Sequence, residues 1–442
     1  MFRAVLPGLL LLASPLAAQT DVPATLALTD CRISAGPGSP GIAARCADFT
    51  RPLDPENPAS GEIELRVAVI PALSLDPTAD PFVPVAGGPG QSTIEFYAGW
   101  ANAFERVRRN RDIVLVDQRG TGDSATMVCD IDEEVVEGKY SDEETLRLTE
   151  QCIERLPYDP TFFTTSVAVR DLEALRIALG YDAFNIYGIS YGTRVAQHYA
   201  RRYPDTTRTV IIDGVVPPQV PLGPDIATES QLAIDGVFAR CAEDAVCNDR
   251  FPDVRGDFDI LRGALAESPV AVEYQHPTTG QRKVIDFTAD HLAGAVRLLL
   301  YNPRTVALLP LVISEAANGN FVPLAAQFDM VASSLAETLS IGMHNAVMCT
   351  EDAPFIDWDS LDTEAINNSY IGPLQLESIK TMCSVWPRGV LDDDLRMPLA
   401  SDLPVLLLSG TADPITPPRY ADLAATELSN SWHIIGKDQG HG

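Results

Sequence analysis

A chain of 442 residues with 61 Asp and Glu against 32 Lys and Arg carries a formal net charge of -29. Such a balance excludes nucleic-acid binding, which needs clustered Lys and Arg to neutralise phosphates, and it opposes adsorption to anionic membranes. Its plain consequence is solubility outside the cytoplasm.

Residues 1–18 combine Arg3, an apolar stretch over 6–12 and a small-residue end at Ala17-Ala18, the pattern of a signal peptide cleaved after Ala18. The apolar stretch is too short to span a bilayer, and no later segment supplies about twenty apolar residues. Export to the periplasm or beyond is therefore expected, with no stable membrane association. Eight cysteines suit an oxidising compartment. They fall as near neighbours, Cys31 with Cys46, Cys129 with Cys152, Cys241 with Cys247 and Cys349 with Cys383, although eight cysteines permit about 105 pairings. With six histidines, no CxxC and no HExxH, neither a metal nor a cofactor is expected.

From residue 19 to 216 the pattern is that of an α/β domain. Residues 45–50 and 61–70 alternate apolar and polar positions and predict the leading strands, separated by a Pro-rich turn over 52–58. A short apolar strand over 82–86 ends in GGPGQS, residues 87–92. Glycine there lets backbone N–H groups approach a substrate carbonyl; Pro89 has no N–H, so Gly88 is the expected oxyanion donor. Residues 113–116 (IVLV) read as a buried strand, followed by DQRGTGDS, where Asp117 and Arg119 read as structural hydrogen-bonding residues. A helix over 166–179 ends at Gly180. It leads into the strand 184–187 and then Gly188-Ile189-Ser190-Tyr191-Gly192, ahead of a helical stretch over 193–203. That is the setting of a nucleophile elbow, in which Ser190 is pushed out of a strained strand-to-helix turn and Tyr191 N–H is the second oxyanion donor. By itself the pentapeptide could be an ordinary Gly/Ser turn. A further strand is predicted over 209–212.

Between residues 217 and 399 the strand-helix alternation stops. Helical patterns over 231–241, 289–301 and 333–348 predict a mainly helical cap inserted after the sixth core strand and able to cover a cleft. The α/β domain resumes over 400–442. Residues 403–409 (LPVLLLS) predict a buried strand leading to Asp413, and 432–435 another leading to His441. Ser190, Asp413 and His441 thus follow the α/β-hydrolase order, with His441 as general base and Asp413 fixing its tautomer.

Together GGPGQS, DQRGTGDS, GISYGTR (188–194), SGTADPITPP (409–418) and GHG (440–442) resemble the signatures of secreted α/β-hydrolases related to prolyl iminopeptidase and tripeptidyl aminopeptidase. The resemblance spans most of the chain past residue 18. It implies a mostly parallel sheet flanked by helices, and cleavage near the free N-terminus of small peptides, aminoacyl amides or esters. It also implies acidic cap residues that bind the substrate ammonium. Glu351 and Asp352 in CTED are candidates for that role, as is Glu229, although a solvated acidic turn is the plainer reading of adjacent carboxylates. His198, His344 and His433 read as structural. Hydrolases of this type continue into a helix beyond the histidine, so a sequence stopping at Gly442 is expected to be truncated or to hold His441 without that support. A carboxylesterase with the same triad, and a non-catalytic binding protein on the same fold, remain the alternatives.

Overall fold

The computed structural model describes residues 26–36, 38–129 and 141–442; the segment read as a signal peptide lies outside them. Eleven strands form among the described residues: β1 (Thr29–Ile33), β2 (Ile42–Pro52), β3 (Glu62–Ile70), β4 (Phe82–Val85), β5 (Ile113–Val116), β6 (Phe184–Ile189), β7 (Thr207–Asp213), β8 (Val270–Gln275), β9 (Arg282–Phe287), β10 (Val405–Gly410) and β11 (Ser431–Gly436). Nine make one sheet in the order β1-β2-β3-β5-β4-β6-β7-β10-β11. The first four in that order pair antiparallel, and every pair from β5/β4 onward is parallel.

Burial follows from that arrangement. β4 (FVPV) and β5 (IVLV) are buried at every position, as parallel strands covered on both faces require. The chain leaves β4 toward β5 on one side and returns to β6 on the other, so the loops after β4 and β6 open side by side at the carboxyl edge. That reversal of strand order is where open α/β sheets bind ligands. Strand β1, which sequence pattern did not predict, pairs antiparallel with β2 and is tied to it by the Cys31–Cys46 disulfide. Three further disulfides join Cys129 to Cys152, Cys241 to Cys247 and Cys349 to Cys383.

The long insertion therefore follows the seventh strand in chain order. One part has its own apolar core, drawn from residues such as Phe238, Phe258, Leu292, Leu309 and Leu324, and it includes an antiparallel hairpin, β8 with β9. Another part does not stand apart: Met343, Ala346, Val347, Trp386 and Leu399 pack into the core around the main sheet. The helix expected over 333–348 is two helices, Val322–Thr338 and Ile341–Val347. It breaks where Leu339 pairs with Gln91 and Ser340 N–H donates to Gly90 O at 2.9 Å, so contacts with the loop after β4 override helix continuity. No helix among the described residues is long and apolar enough to cross a membrane.

Candidate active site

Ser190 sits between β6 and the helix Tyr191–Arg202 with φ 55° and ψ -125°, a conformation that costs a non-glycine residue about 1–3 kcal/mol unless its surroundings enforce it. They do. Ser190 N–H donates to Asp213 O at 2.8 Å, and Ser190 O accepts from Thr193 N–H at 2.9 Å and Thr193 Oγ1 at 2.6 Å. A Cβ on Gly188 would lie 2.2 Å from Gly192 O, and one on Gly192 would lie 2.2 Å from Val85 O. Both flanking glycines are therefore sterically required.

The loop after β4 closes on the same point. A Cβ on Gly87 would meet Ser190 Cβ at 2.9 Å. Gly88 has φ 105° and precedes a cis bond to Pro89. Among the described residues, neither Gly88 N–H nor Tyr191 N–H is donated to a protein acceptor. Two donors are thus left open beside Ser190, one of them at a helix N-terminus, where backbone N–H groups favour negative charge.

Asp413 and His441 arrive from the loops after β10 and β11. His441 Nδ1 lies 2.9 Å from Asp413 Oδ2 and 3.1 Å from Oδ1. Asp413 is 4% exposed and is held by Ile415 N–H and Thr416 N–H, each at 2.8 Å. Thr416 Oγ1 donates to Asp413 Oδ2 at 2.7 Å and lies 3.0 Å from His441 Nδ1. His441 N–H donates to Tyr301 O at 2.8 Å, and the two rings pack edge-on at 5.2 Å. Burial pulls the His441 pKa down, but Asp413, through charge and hydrogen bond, and the charge of Asp213 outweigh it and raise it above 6.5. Asp213 ends β7 and gives Ser190 its backbone acceptor. Gly214 beside it is close enough that a Cβ there would lie 3.1 Å from His441 Cε1. Gly442 in turn is set against Ile189, where its Cβ would lie 2.4 Å from Ile189 Cδ1. The structure thus brings the histidine loop onto the elbow. The Ser190 hydroxyl itself has no hydrogen-bond partner among the described residues.

Two family comparisons match this chain: one described as alpha/beta hydrolase fold over residues 80–236, the other as TAP-like protein over residues 368–442. The chain has the α/β-hydrolase fold. It is similar to the serine protease Hip1 of Mycobacterium tuberculosis, with 26% identity over 438 residues that cover 88% of this chain and 80% of that protein. The tripeptidyl aminopeptidase of Streptomyces lividans is 26% identical over 90% of this chain and 78% of its own length. Carboxylesterase B of M. tuberculosis is 27% identical over 94% of this chain and 86% of its own length. Fold and relatives together make this chain a serine hydrolase.

Two sequence expectations are corrected. Glu351 and Asp352 are neither a solvated turn nor open to a substrate ammonium, because both are fully buried and occupied. Asp352 takes Arg194 bidentately, Nη1 to Oδ2 at 2.9 Å and Nη2 to Oδ1 at 2.8 Å, and also accepts from Leu222 N–H at 2.7 Å. Glu351 accepts from Thr165 N–H at 2.7 Å and Thr165 Oγ1 at 2.8 Å, with Arg194 Nη1 at 3.6 Å. Burial raises Glu351 to about 7 despite Arg194. These two acids anchor the insertion to the helix that starts at the elbow.

The residues read as structural are so placed. Asp117 accepts from Ser92 Oγ at 2.8 Å and Ile94 N–H at 3.0 Å, while buried Arg119 grips Asp171 through Nε and Nη2 at 2.7 and 3.0 Å. His198 faces Asp392 at 2.8 Å. His433 is held between Asp422 and Ser409. His344 packs against the loop after β4, with Nδ1 3.1 Å from Pro89 O. Thr416 went unremarked in the sequence. Its only signal is a Thr three residues past the aspartate, which resembles any local turn.

Proposed function

We propose that this hydrolase is an aminopeptidase that releases residues or short peptides from free N-termini through an acyl-enzyme on Ser190. The observation that carries the reading is the strained, glycine-enforced Ser190 with the Asp413–His441 pair docked against its elbow. In that reading Ser190 Oγ attacks the scissile carbonyl as His441 Nε2 takes its proton. Gly88 and Tyr191 N–H groups hold the oxyanion. The imidazolium, stabilised by Asp413, then protonates the leaving amine. Water activated by neutral His441 hydrolyses the ester and frees Ser190. Asp413 needs both oxygens to hold Nδ1 and Thr416, which keeps Nε2 as the basic nitrogen.

With Glu351 and Asp352 occupied, Glu229 supports recognition of a substrate ammonium. It lies in the first turn of the helix Ile226–Glu243, next to Ser230, whose hydroxyl donates to Pro414 O in the Asp413 loop at 3.2 Å. Its partner is the half-exposed Arg419 at 2.8 Å. Burial, with the charges of Asp225 and Asp413, raises its pKa against the pull of Arg419. Similarity to a tripeptidyl aminopeptidase favours peptides as substrates, and four disulfides favour an oxidising compartment and hence export.

Similarity to a carboxylesterase supports an ester-cleaving reading with the same triad. The two separate on aminoacyl and tripeptidyl chromogenic amides, assayed beside a short acyl ester with free and acetylated amino termini. Amide cleavage that requires Ser190 and a free amine is expected. Ester cleavage alone moves the reading to carboxylesterase, and absence of any Ser190-dependent turnover moves it to a binding protein.

A further inference from the structure

Arg297 has no part in the chemistry above, yet it stands beside it. It lies in the helix Ala289–Leu299, and the turn continues through Leu300 to Tyr301, the residue that holds His441 by backbone and ring. Arg297 is in the last turn of that helix, four residues before Tyr301. Its charge opposes protonation of both His441, which comes from the β11 loop, and His344, which packs against Pro89 in the loop after β4.

The guanidinium is poorly satisfied. Among the described residues it makes one hydrogen bond, Nη1 to Gln375 Oε1 at 3.0 Å. Its Nε is buried without a partner, and no carboxylate of the described residues lies within 4.0 Å. Cations withdrawn from water are ordinarily paired, and a chain with 61 acidic residues has ample means to pair this one. Nη2 carries no hydrogen bond among the described residues and is not buried, and such a guanidinium donor is suited to charge-assisted capture of an anion.

We propose that Arg297 is the anion receptor of this cleft and binds a carboxylate carried by the substrate, which makes it a specificity-determining residue. The proposal rests on the peptidase reading for its substrate class. Two sources share the chemistry: the α-carboxylate of a short leaving peptide, or an acidic side chain in the acyl portion.

Matched pairs distinguish them: tetra-alanine against its C-terminal amide, and Ala-Ala-Glu against Ala-Ala-Gln p-nitroanilide. The wild type is expected to favour the carboxylate member of one pair by about tenfold or more in kcat/KM, the scale of a charge-assisted hydrogen bond. Arg297→Gln should collapse that preference to within about twofold, chiefly through KM, while Arg297→Lys retains part of it. Arg304→Gln, which removes an exposed arginine seven residues further on, should leave the preference intact. No wild-type preference in either pair, or one that survives Arg297→Gln, overturns the proposal. Should Arg297→Gln not fold, the wild-type and Arg297→Lys ratios decide. If no peptide is cleaved, the peptidase reading fails separately, and protection of Ser190 from a fluorophosphonate by Ala-Ala against Ala-Ala-amide tests the receptor. Stronger, Arg297-dependent protection by the acid supports it, and equal protection overturns it.

Discussion

Replacing Arg194 with Met tests how the insertion is fastened to the elbow helix. Arg194 lies one turn past Ser190 and, fully buried, holds Asp352 at 2.8 and 2.9 Å with Glu351 at 3.6 Å. Met fills similar volume but leaves Glu351 without an ion-pair partner among the described residues and Asp352 with Arg396 Nη1 at 4.0 Å. Breaking a buried pair by removing one partner costs about 3–5 kcal/mol. For 442 residues an unfolding entropy of about 0.9 kcal/mol/K converts that to a drop of about 3–5 °C in Tm. The loss should depend on pH with a definite sign. Burial already raises Glu351 to about 7 with Arg194 present, and removing the cation raises it further. A folded-state pKa above the unfolded one means that stability falls as pH rises from the unfolded value through the folded one. The variant should therefore be more damaged at pH 8 than at pH 5, as measured by calorimetry and urea unfolding at both. The triple variant Arg194→Met, Glu351→Gln, Asp352→Asn should recover most of the loss and its pH dependence. A penalty under about 1 kcal/mol, or one equal at both pH values, would refute the assignment of these acids as a buried anchor.

Other consequences are equally measurable. Because Asp413 and Asp213 hold the His441 pKa above 6.5, and the base must be neutral, the acid limb of kcat/KM should fall above that pH; Asp213→Asn should move it down, and an unmoved limb would disconnect Asp213 from the base. Thr416→Val removes the hydroxyl bonded to Asp413 and close to His441 and should lower kcat about tenfold with little change in KM, the worth of one such hydrogen bond. Gly192→Ala places a Cβ 2.2 Å from Val85 O, an overlap backbone must absorb; it should abolish activity or folding, and a fully active variant would contradict the elbow geometry. Glu229→Gln should raise KM for free-amine substrates while sparing acetylated esters, if any are cleaved.

Much of the frame was legible because parallel strands buried on both faces read as unbroken apolar runs. IVLV coincides with β5, and the elbow and the loop after β4 announce themselves through glycines that the backbone requires. Edge and local signals were weaker. Four of the five residues in β1 are not buried, so it lacks the periodicity that marks a strand. The hairpin β8–β9 does alternate, but it sits among helical patterns. What sequence could not show was tertiary partnership: that Arg194 consumes Glu351 and Asp352, that Thr416 reaches a histidine 25 residues on, or that the break at Leu339 and Ser340 serves the loop after β4. Each depends on contacts between residues distant in the chain, which no local pattern encodes.

The most direct test of Ser190 as the nucleophile is fluorophosphonate labelling followed by peptide mapping. A single adduct on Ser190, absent in Ser190→Ala and strongly slowed in His441→Ala, is the predicted result. An adduct elsewhere, or labelling that persists without Ser190, would contradict the account.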